Sequence, residues 1–247
     1  MQALTQLLQG AERLSVDLTS EQASQIEVFC KELQDYNAHT NLVADASPET
    51  VLTEHVLDSL SLVPLIKNSL KSPSQDKIRL IDIGTGAGFP GLILAIAMPE
   101  LEVLLVDSVG KKLNFITSVV EKIGLNQSVQ IYNGRAEEMT HHGQYRAQFD
   151  VATCRAVGAS MGLVCEIVCP FLKIGGHAIL QKSLSQITEL AGATRENAEK
   201  LGAKLIDTVD LSSQLGKRRG VFVLEQIRLS LAKYPRPWNQ IKTKPLF

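Results

Sequence analysis

Three glycines at alternate positions, Gly84, Gly86 and Gly88, follow the short run Leu80-Ile81-Asp82-Ile83 and precede Phe89-Pro90-Gly91. An apolar run stopped at once by such a cluster reads as a buried strand ending in a tight turn. Glycine lets the chain turn there and lets a ligand approach the backbone; Pro90, whose missing N–H costs nothing in a first helical turn, is expected to open a helix reaching Met98. A nucleotide-like cofactor fits such a turn. Residues 86–91 also satisfy the G-x-G-x-x-G dinucleotide pattern, which by itself is weak evidence. Asp82 discriminates between ligands, because a carboxylate at the strand tip would repel a pyrophosphate held at the helix N-terminus. S-adenosylmethionine carries an ammonium and a sulfonium in place of phosphate. The pattern Asp-x-Gly-x-Gly-x-Gly therefore matches its charges and leaves the helix N-terminus for its carboxylate.

Further candidates lie at the ends of other apolar runs. Asp107 closes the run 101–106, 23 residues past Gly84, where an acid is placed to accept both ribose hydroxyls of an adenosine. The loop 134–138 offers backbone groups and Glu137 to an adenine edge. Arg155 follows the strand-like run 149–154 and Lys182 ends the run 177–182, and strand C-termini of an open α/β sheet face the ligand crevice. His55, Asp58 and Ser59 share one face of a helix opened by Ser47-Pro48, either as a hydrogen-bond cluster between helices or as a wall of the site. Cys154 sits beside a cation that would favour its thiolate. The four cysteines, at 30, 154, 165 and 169, lack paired C-x-x-C spacing and read as reduced core residues. His141-His142 has no partner ligands near it, so no metal is expected.

The elements that must hold these residues follow from periodicity. Helical spacing marks residues 1–16, and a capping box at Thr19–Gln22 opens a second helix that ends near the polar cluster 37–41. A third helix begins at Pro48, and a loop is expected over 67–77. Beyond it, strands near 80–83, 101–106, 129–132, 149–154, 177–182, 203–210 and 220–228 alternate with helices over 111–123, 159–171 and 185–201. The last two strands are joined by a loop too short for a crossover helix, so the final one is expected to insert antiparallel. That pattern implies an α/β fold with a doubly wound, mostly parallel seven-stranded sheet and an N-terminal helical extension. The expected divisions are an extension over 1–75, a cofactor-binding domain over 76–230 and a basic tail over 231–247.

The 247 residues carry a formal net charge of −1, distributed unevenly. From Lys217 to the end stand eight Lys or Arg against one Glu, a local +7. Such a basic end is the footprint of phosphate neutralisation, with a solvated surface as the bland alternative. No apolar run is long enough to span a membrane and the start carries no export signal, so a cytoplasmic protein is expected; a monomer is expected as well.

Several segments together resemble one family. They are Asn41-Leu-Val, His55-Val-Leu-Asp-Ser59, Ile81-Asp-Ile-Gly-Thr-Gly-Ala-Gly-Phe-Pro-Gly91, Asp107-Ser-Val-Gly-Lys111, Arg135-Ala-Glu-Glu138, Cys154-Arg-Ala156, Tyr234-Pro-Arg236 and Lys242-Thr-Lys-Pro-Leu246. Taken from about residue 20 to the end, the chain resembles the ribosomal small-subunit methyltransferase G family, also called glucose-inhibited division protein B. The resemblance implies a class I, Rossmann-like methyltransferase that uses S-adenosylmethionine to methylate N7 of one guanine, conventionally guanine 527, in 16S ribosomal RNA or the small-subunit particle. It carries cofactor contacts over to Gly84, Phe89, Ala136, Glu137 and Arg155, joined here by Asp82, Gly86, Gly88, Asp107 and Ser108. Arg155, Lys182, His55 and Asp58 stand as positioning candidates, with no general base assigned, because N7 already bears a lone pair. Cysteine attack serves ring carbons, so Cys154 is not expected to be a nucleophile. Lys217, Arg218, Arg219, Arg236, Lys242 and Lys244 are the expected RNA contacts. Two departures stand out: Cys154 replaces a common serine, and Trp238-Asn-Gln replaces a basic or glycine-containing stretch. The alternatives are a methyltransferase of this fold acting on a small molecule or protein, and a non-catalytic RNA- or ribosome-binding protein.

Overall fold

The computed structural model describes residues 2–70, 77–155 and 160–247, with side chains from Leu4 onward. Seven strands, β1 (Ile78–Ile83), β2 (Leu101–Asp107), β3 (Val129–Asn133), β4 (Phe149–Arg155), β5 (Leu172–Ser183), β6 (Ala203–Asp210) and β7 (Arg219–Gln226), form one sheet in the order β3-β2-β1-β4-β5-β7-β6. β1 to β5 pair in parallel, whereas β7 runs antiparallel to both β5 and β6. The expected antiparallel insertion is thus present. The order reverses between β1 and β4, and a crevice opens beyond the strand C-termini at such a switch point.

Alternation along the strands divides the core into two layers. Leu80, Val103, Leu105, Val151 and Ile179 point to one face; Ile81, Ile83, Leu104, Val106, Ala152 and Leu180 point to the other. The first face is covered by α1 (Gln2–Arg13), α2 (Ser20–Asn37), α3 (residues 48–60), α4 (Val63–Ser69), α5 (Gly91–Ala97) and α6 (Gly110–Lys122). Leu7, Ile26, Phe29, Val56 and Leu60 share a continuous core with Leu92, Leu105 and Phe115, so the N-terminal helices and the sheet bury one another. The second face holds α7 (Ala136–Met139), α8 (Met161–Val168), α9 (Leu184–Asn197) and, further on, α11 (Trp238–Thr243); the one-turn α10 (Ser212–Leu215), between β6 and β7, packs Leu215 against the core of the first face.

Local chemistry accounts for several boundaries. Thr19 and Gln22 form the expected reciprocal cap, and the Gln22 side chain also donates to the Ile96 carbonyl at 2.9 Å, pinning α2 to the end of α5. Asn37 ends α2 because its Oδ1 accepts the amides of Leu42 and Val43 at 2.7 and 3.0 Å. α3 is not uniform: it begins as an α-turn over Pro48–Thr50, widens to a π-helix over Val51–Val56 and closes as α over Leu57–Leu60. Leu57 N–H accordingly donates to Leu52, five residues back. β5 starts five residues before the expected strand, because Leu172 already pairs with Phe149 across an irregularity that accommodates Gly175 in the left-handed region.

Two expectations are only partly testable and two are corrected. Residues 71–76 of the expected loop, and 159 at the start of the expected 159–171 helix, lie outside the described residues; residues 67–69 of that loop instead complete α4, which Pro64 opens in its first turn. The segment after β7 is packed rather than trailing. Tyr234 and Ile241 are buried, and the Phe247 carbonyl accepts Ser160 Oγ at 2.6 Å and Gly162 N at 3.2 Å. Arg236 binds Glu166 of α8 through Nε and a terminal nitrogen at 2.8 and 2.7 Å, while its own amide donates to the same carboxylate at 2.9 Å. Glu166 is fully buried, so this arginine supplies the charge that the helix carboxylate requires.

Candidate active site

The glycine turn has the strain that its sequence implied. Gly84, Gly86 and Gly88 sit at φ values of 72°, 61° and 98°, where a side chain is disfavoured. Around Gly86 itself there is room, since an added Cβ would meet only the Gly84 carbonyl at 3.9 Å. Beside the turn a cavity of about 120 Å³ is lined by Ile83, Gly84, Asp107, Ser108, Ala136 and Glu137, and closed by Ile167 and Trp238. Asp107 accepts the Gly86 amide on Oδ2 and the Val109 amide on Oδ1, both at 2.9 Å. Each carboxylate oxygen keeps a further lone pair for a hydroxyl. Glu137 is buried, and among the described residues its Oε1 has no hydrogen-bond partner. A buried acceptor left unpaired on a residue that lines the cavity fits a ligand donor such as the adenine amino group. The chain thus fits an adenosine with Asp107 at the ribose and Glu137 at the base.

Asp82 and Phe89 take other roles than expected. The Asp82 carboxylate is fully buried beneath the turn, accepting the Gly91 amide on Oδ2 and the Thr153 hydroxyl on Oδ1, each at 2.9 Å. Burial pushes its carboxyl above its ordinary pKa. Through these two bonds the carboxyl group fastens α5 to β1 and β4. It blocks a phosphate by occupying the helix amide, and that same amide is not left for a cofactor carboxylate. Gly91 is obligatory to this contact, because a Cβ there would lie 2.8 Å from Asp82 Oδ2. The Phe89 ring is buried, packed edge-on to Phe29 with centroids 5.1 Å apart and against His55 at 4.8 Å. Only its backbone is left for a ligand.

A second cavity, of about 330 Å³, opens over the ends of β4 and β5 and is lined by His55, Asp58, Arg155, Gln181, Lys182 and Arg219. Arg155 organises it. Its guanidinium donates to Asp58 Oδ2 and His55 Nδ1, both at 3.2 Å, and lies 5.1 Å from the centre of the Phe89 ring. An arginine can only donate, so His55 Nδ1 accepts and the neutral ring carries its proton on Nε2. Burial, reinforced by the Arg155 charge, holds the His55 pKa down at about 4. Burial also lowers the Arg155 and Lys182 values, with Asp58 opposing it at Arg155. Of the helix trio, His55 and Asp58 face the site, whereas Ser59 turns back to the His55 carbonyl at 2.6 Å. Cys154 is buried beside them.

The expected RNA contacts divide into two groups. Arg219 Nε binds Asp58 Oδ1 at 3.2 Å and Lys217 binds Glu54 at 2.9 Å, so both are held against α3. Arg236 belongs to the Glu166 pair. Arg218, Lys242 and Lys244 are exposed.

The family model described as rRNA small subunit methyltransferase G matches residues 22–218. The chain belongs to the rRNA small subunit methyltransferase G family. A relative from Acetivibrio thermocellus named "Ribosomal RNA small subunit methyltransferase G" is 34% identical over 241 residues, covering 97% of this chain and 95% of the relative. One from Streptococcus thermophilus bearing the same name is 35% identical over 233 residues, covering 94% and 95%. Among solved structures, a putative sarcosine dimethylglycine methyltransferase from Galdieria sulphuraria superposes with a TM-score of 0.51 at 10% identity, covering 76% of this chain and 90% of that one, which shows the fold. As a member of the methyltransferase G family the protein is an S-adenosylmethionine-dependent enzyme of the class I fold. No helix among the described residues is long and apolar enough to cross a membrane.

Ile167, Trp238 and Gln181 are among the lining residues missed by the sequence reading. Ile167 lies on α8, apolar or small at every position but Glu166, with no sign of which side meets a ligand. Trp238, the single tryptophan, stood out only as a departure, yet it closes the nucleoside cavity with Arg135 5.4 Å from its ring centre. Gln181, inside an apolar strand, was the one detectable signal, since a polar residue there must find a partner.

Proposed function

We propose that the protein transfers the methyl group of S-adenosylmethionine to N7 of one guanine in 16S ribosomal RNA. The observation that carries this reading is the cavity beside the cofactor site: it is large enough for a base and walled by cations, and neither its histidine nor its carboxylate is free to act as a base. His55 is neutral with Nδ1 already bound, and both Asp58 oxygens are engaged by arginines. N7 carries an in-plane lone pair and needs no deprotonation, so alignment suffices, and orientation can supply roughly 7–11 kcal/mol of the barrier. S-adenosylmethionine supplies the electrophilic methyl group when bound. Asp107 and Glu137 hold its adenosine, the backbone from Gly84 to Phe89 together with Ser108 and Ala136 surrounds it, and Arg155 ties that site to the base cavity. Arginine usually spans O6 and N7 of guanine. Here N7 must stay open, so Arg155 and Lys182 serve O6, phosphate or cofactor. A groove-buried N7 is out of reach in A-form RNA, so the guanine is taken from a loop or flipped out. On this reading the enzyme is cytoplasmic and monomeric, with residues 1–75 an extension of the catalytic domain.

The test is methyl transfer to small-subunit particles from cells lacking the gene, followed by mapping of modified nucleotides. One 7-methylguanine is expected, and Asp107→Ala should lose S-adenosylmethionine binding by calorimetry. A methyl group on a ring carbon or an exocyclic atom, or tight NAD binding, would overturn the assignment.

A further inference from the structure

We infer that Gln181 is the residue that distinguishes the target guanine from adenine, its Oε1 accepting the N1–H of the base. The inference rests on the guanine reading above and adds the recognition that reading lacks. Gln181 is 4% exposed, stands on β5 next to Lys182 and lines the 330 Å³ cavity with Arg155. Its Nε2 donates to the Asp58 main-chain carbonyl at 2.8 Å. A carbonyl only accepts, so this bond fixes which end of the amide is nitrogen and removes the ambiguity of a flipped side chain. Oε1 is then buried with no partner among the described residues. Buried acceptors are rarely left so, and one on a residue that lines a cavity points to a donor that arrives with the ligand.

The chemistry of the two purines makes this acceptor selective. Guanine offers N1–H and the N2 amino group on one edge with O6 beside them. Adenine offers a lone pair at N1 and an amino group where guanine has O6. Against Oε1, guanine N1–H forms a bond, while adenine N1 sets lone pair against lone pair. Lys182 and Arg155, as donors, suit O6 and repel no part of guanine, but face an amino group in adenine. The opposite edge, with N7, stays clear of Gln181 and open to methyl transfer. A cavity of this volume falls at the lower end of the range for small-molecule sites and holds a single base.

The experiment uses small-subunit RNA carrying 7-deazaguanine or 7-deazaadenine at the target position as competitive inhibitors, since neither can be methylated at position 7. Phosphate contacts are common to both, so both inhibition constants are measurable. Wild-type enzyme should prefer the guanine form by about 10- to 100-fold, the scale of one well-made base contact. Gln181→Met, of similar volume, should bring the two within a few-fold of each other while leaving S-adenosylmethionine affinity unchanged. Gln181→Asn, which withdraws the acceptor by one methylene, should do the same and serves if the methionine variant does not fold. An unselective wild type, or an unaltered preference in a folded variant, overturns the inference. Failure of wild-type enzyme to methylate guanine at all would instead overturn the reading beneath it.

Discussion

At the scale of single residues, the site is governed by groups whose protonation is fixed by burial rather than by a reacting partner. His55 is the clearest case, wedged between the Phe89 ring and Arg155, with Asp58, Glu54 and Lys217 also facing it. Its pKa falls from 6.5 to about 4 in the folded protein. Between those values the unfolded chain binds a proton that the folded chain refuses, so stability falls as pH drops through that window and is unaffected above it. His55→Gln, which cannot titrate, should therefore show a shallower loss of stability between pH 6.5 and 4 than wild type, read from urea midpoints at several pH values. Equal slopes would mean that His55 protonates freely in the fold. Methyl transfer between pH 7 and 9 should not depend on this residue's charge, because it is neutral throughout.

At the scale of elements, the sheet was legible because each parallel strand is a short apolar run closed by a polar or glycine residue, and because Thr19 and Gln22 announce their own cap. Residue types at strand ends also located Asp107, Arg155 and Lys182 in or beside the cavities. Directions were not legible. A carboxylate at position 82 can face a ligand or a helix amide with equal local propensity, and the fully buried Thr153 on the neighbouring strand decided it. The π-turn in α3 was invisible for a similar reason, since apolar spacing does not count carbonyls. The terminal segment misled by composition: its charge suggested phosphate contact, yet Arg236 is spent on Glu166 inside the fold. Removing that arginine leaves a fully buried carboxylate without its cation. Arg236→Met should cost up to about 3 kcal/mol, at the low end for broken buried pairs because the arginine is partly exposed. Adding Glu166→Gln should recover much of that loss in the urea midpoint, whereas additive losses would show that the two side chains do not interact.

At the scale of the whole molecule, charge is sorted rather than pooled. The basic segment from Lys217 to the end neutralises acids of α3 and α8 before it can meet RNA, so its formal +7 overstates what a phosphate backbone encounters. Lys217 and Arg219 hold α3 across the cavity mouth through Glu54 and Asp58, which makes them part of the wall that positions Arg155. Arg218, Lys242 and Lys244 are exposed, and a cation that neutralises a phosphate releases counterions condensed on the RNA, which sets the salt dependence of RNA affinity. Each phosphate contact on single-stranded RNA lowers affinity with a slope of about 0.7 in log–log units. Lys242→Ala together with Lys244→Ala should flatten the slope by about 1.4, with cofactor affinity unchanged. Lys217→Ala should flatten it by much less than one phosphate's share, because its charge is already matched by Glu54 at 2.9 Å. If instead Lys217→Ala flattened the slope by the full amount of about 0.7 and the Lys242 and Lys244 substitutions left it unchanged, RNA would have to open the α3 ion pairs on binding while the terminal helix faces solvent.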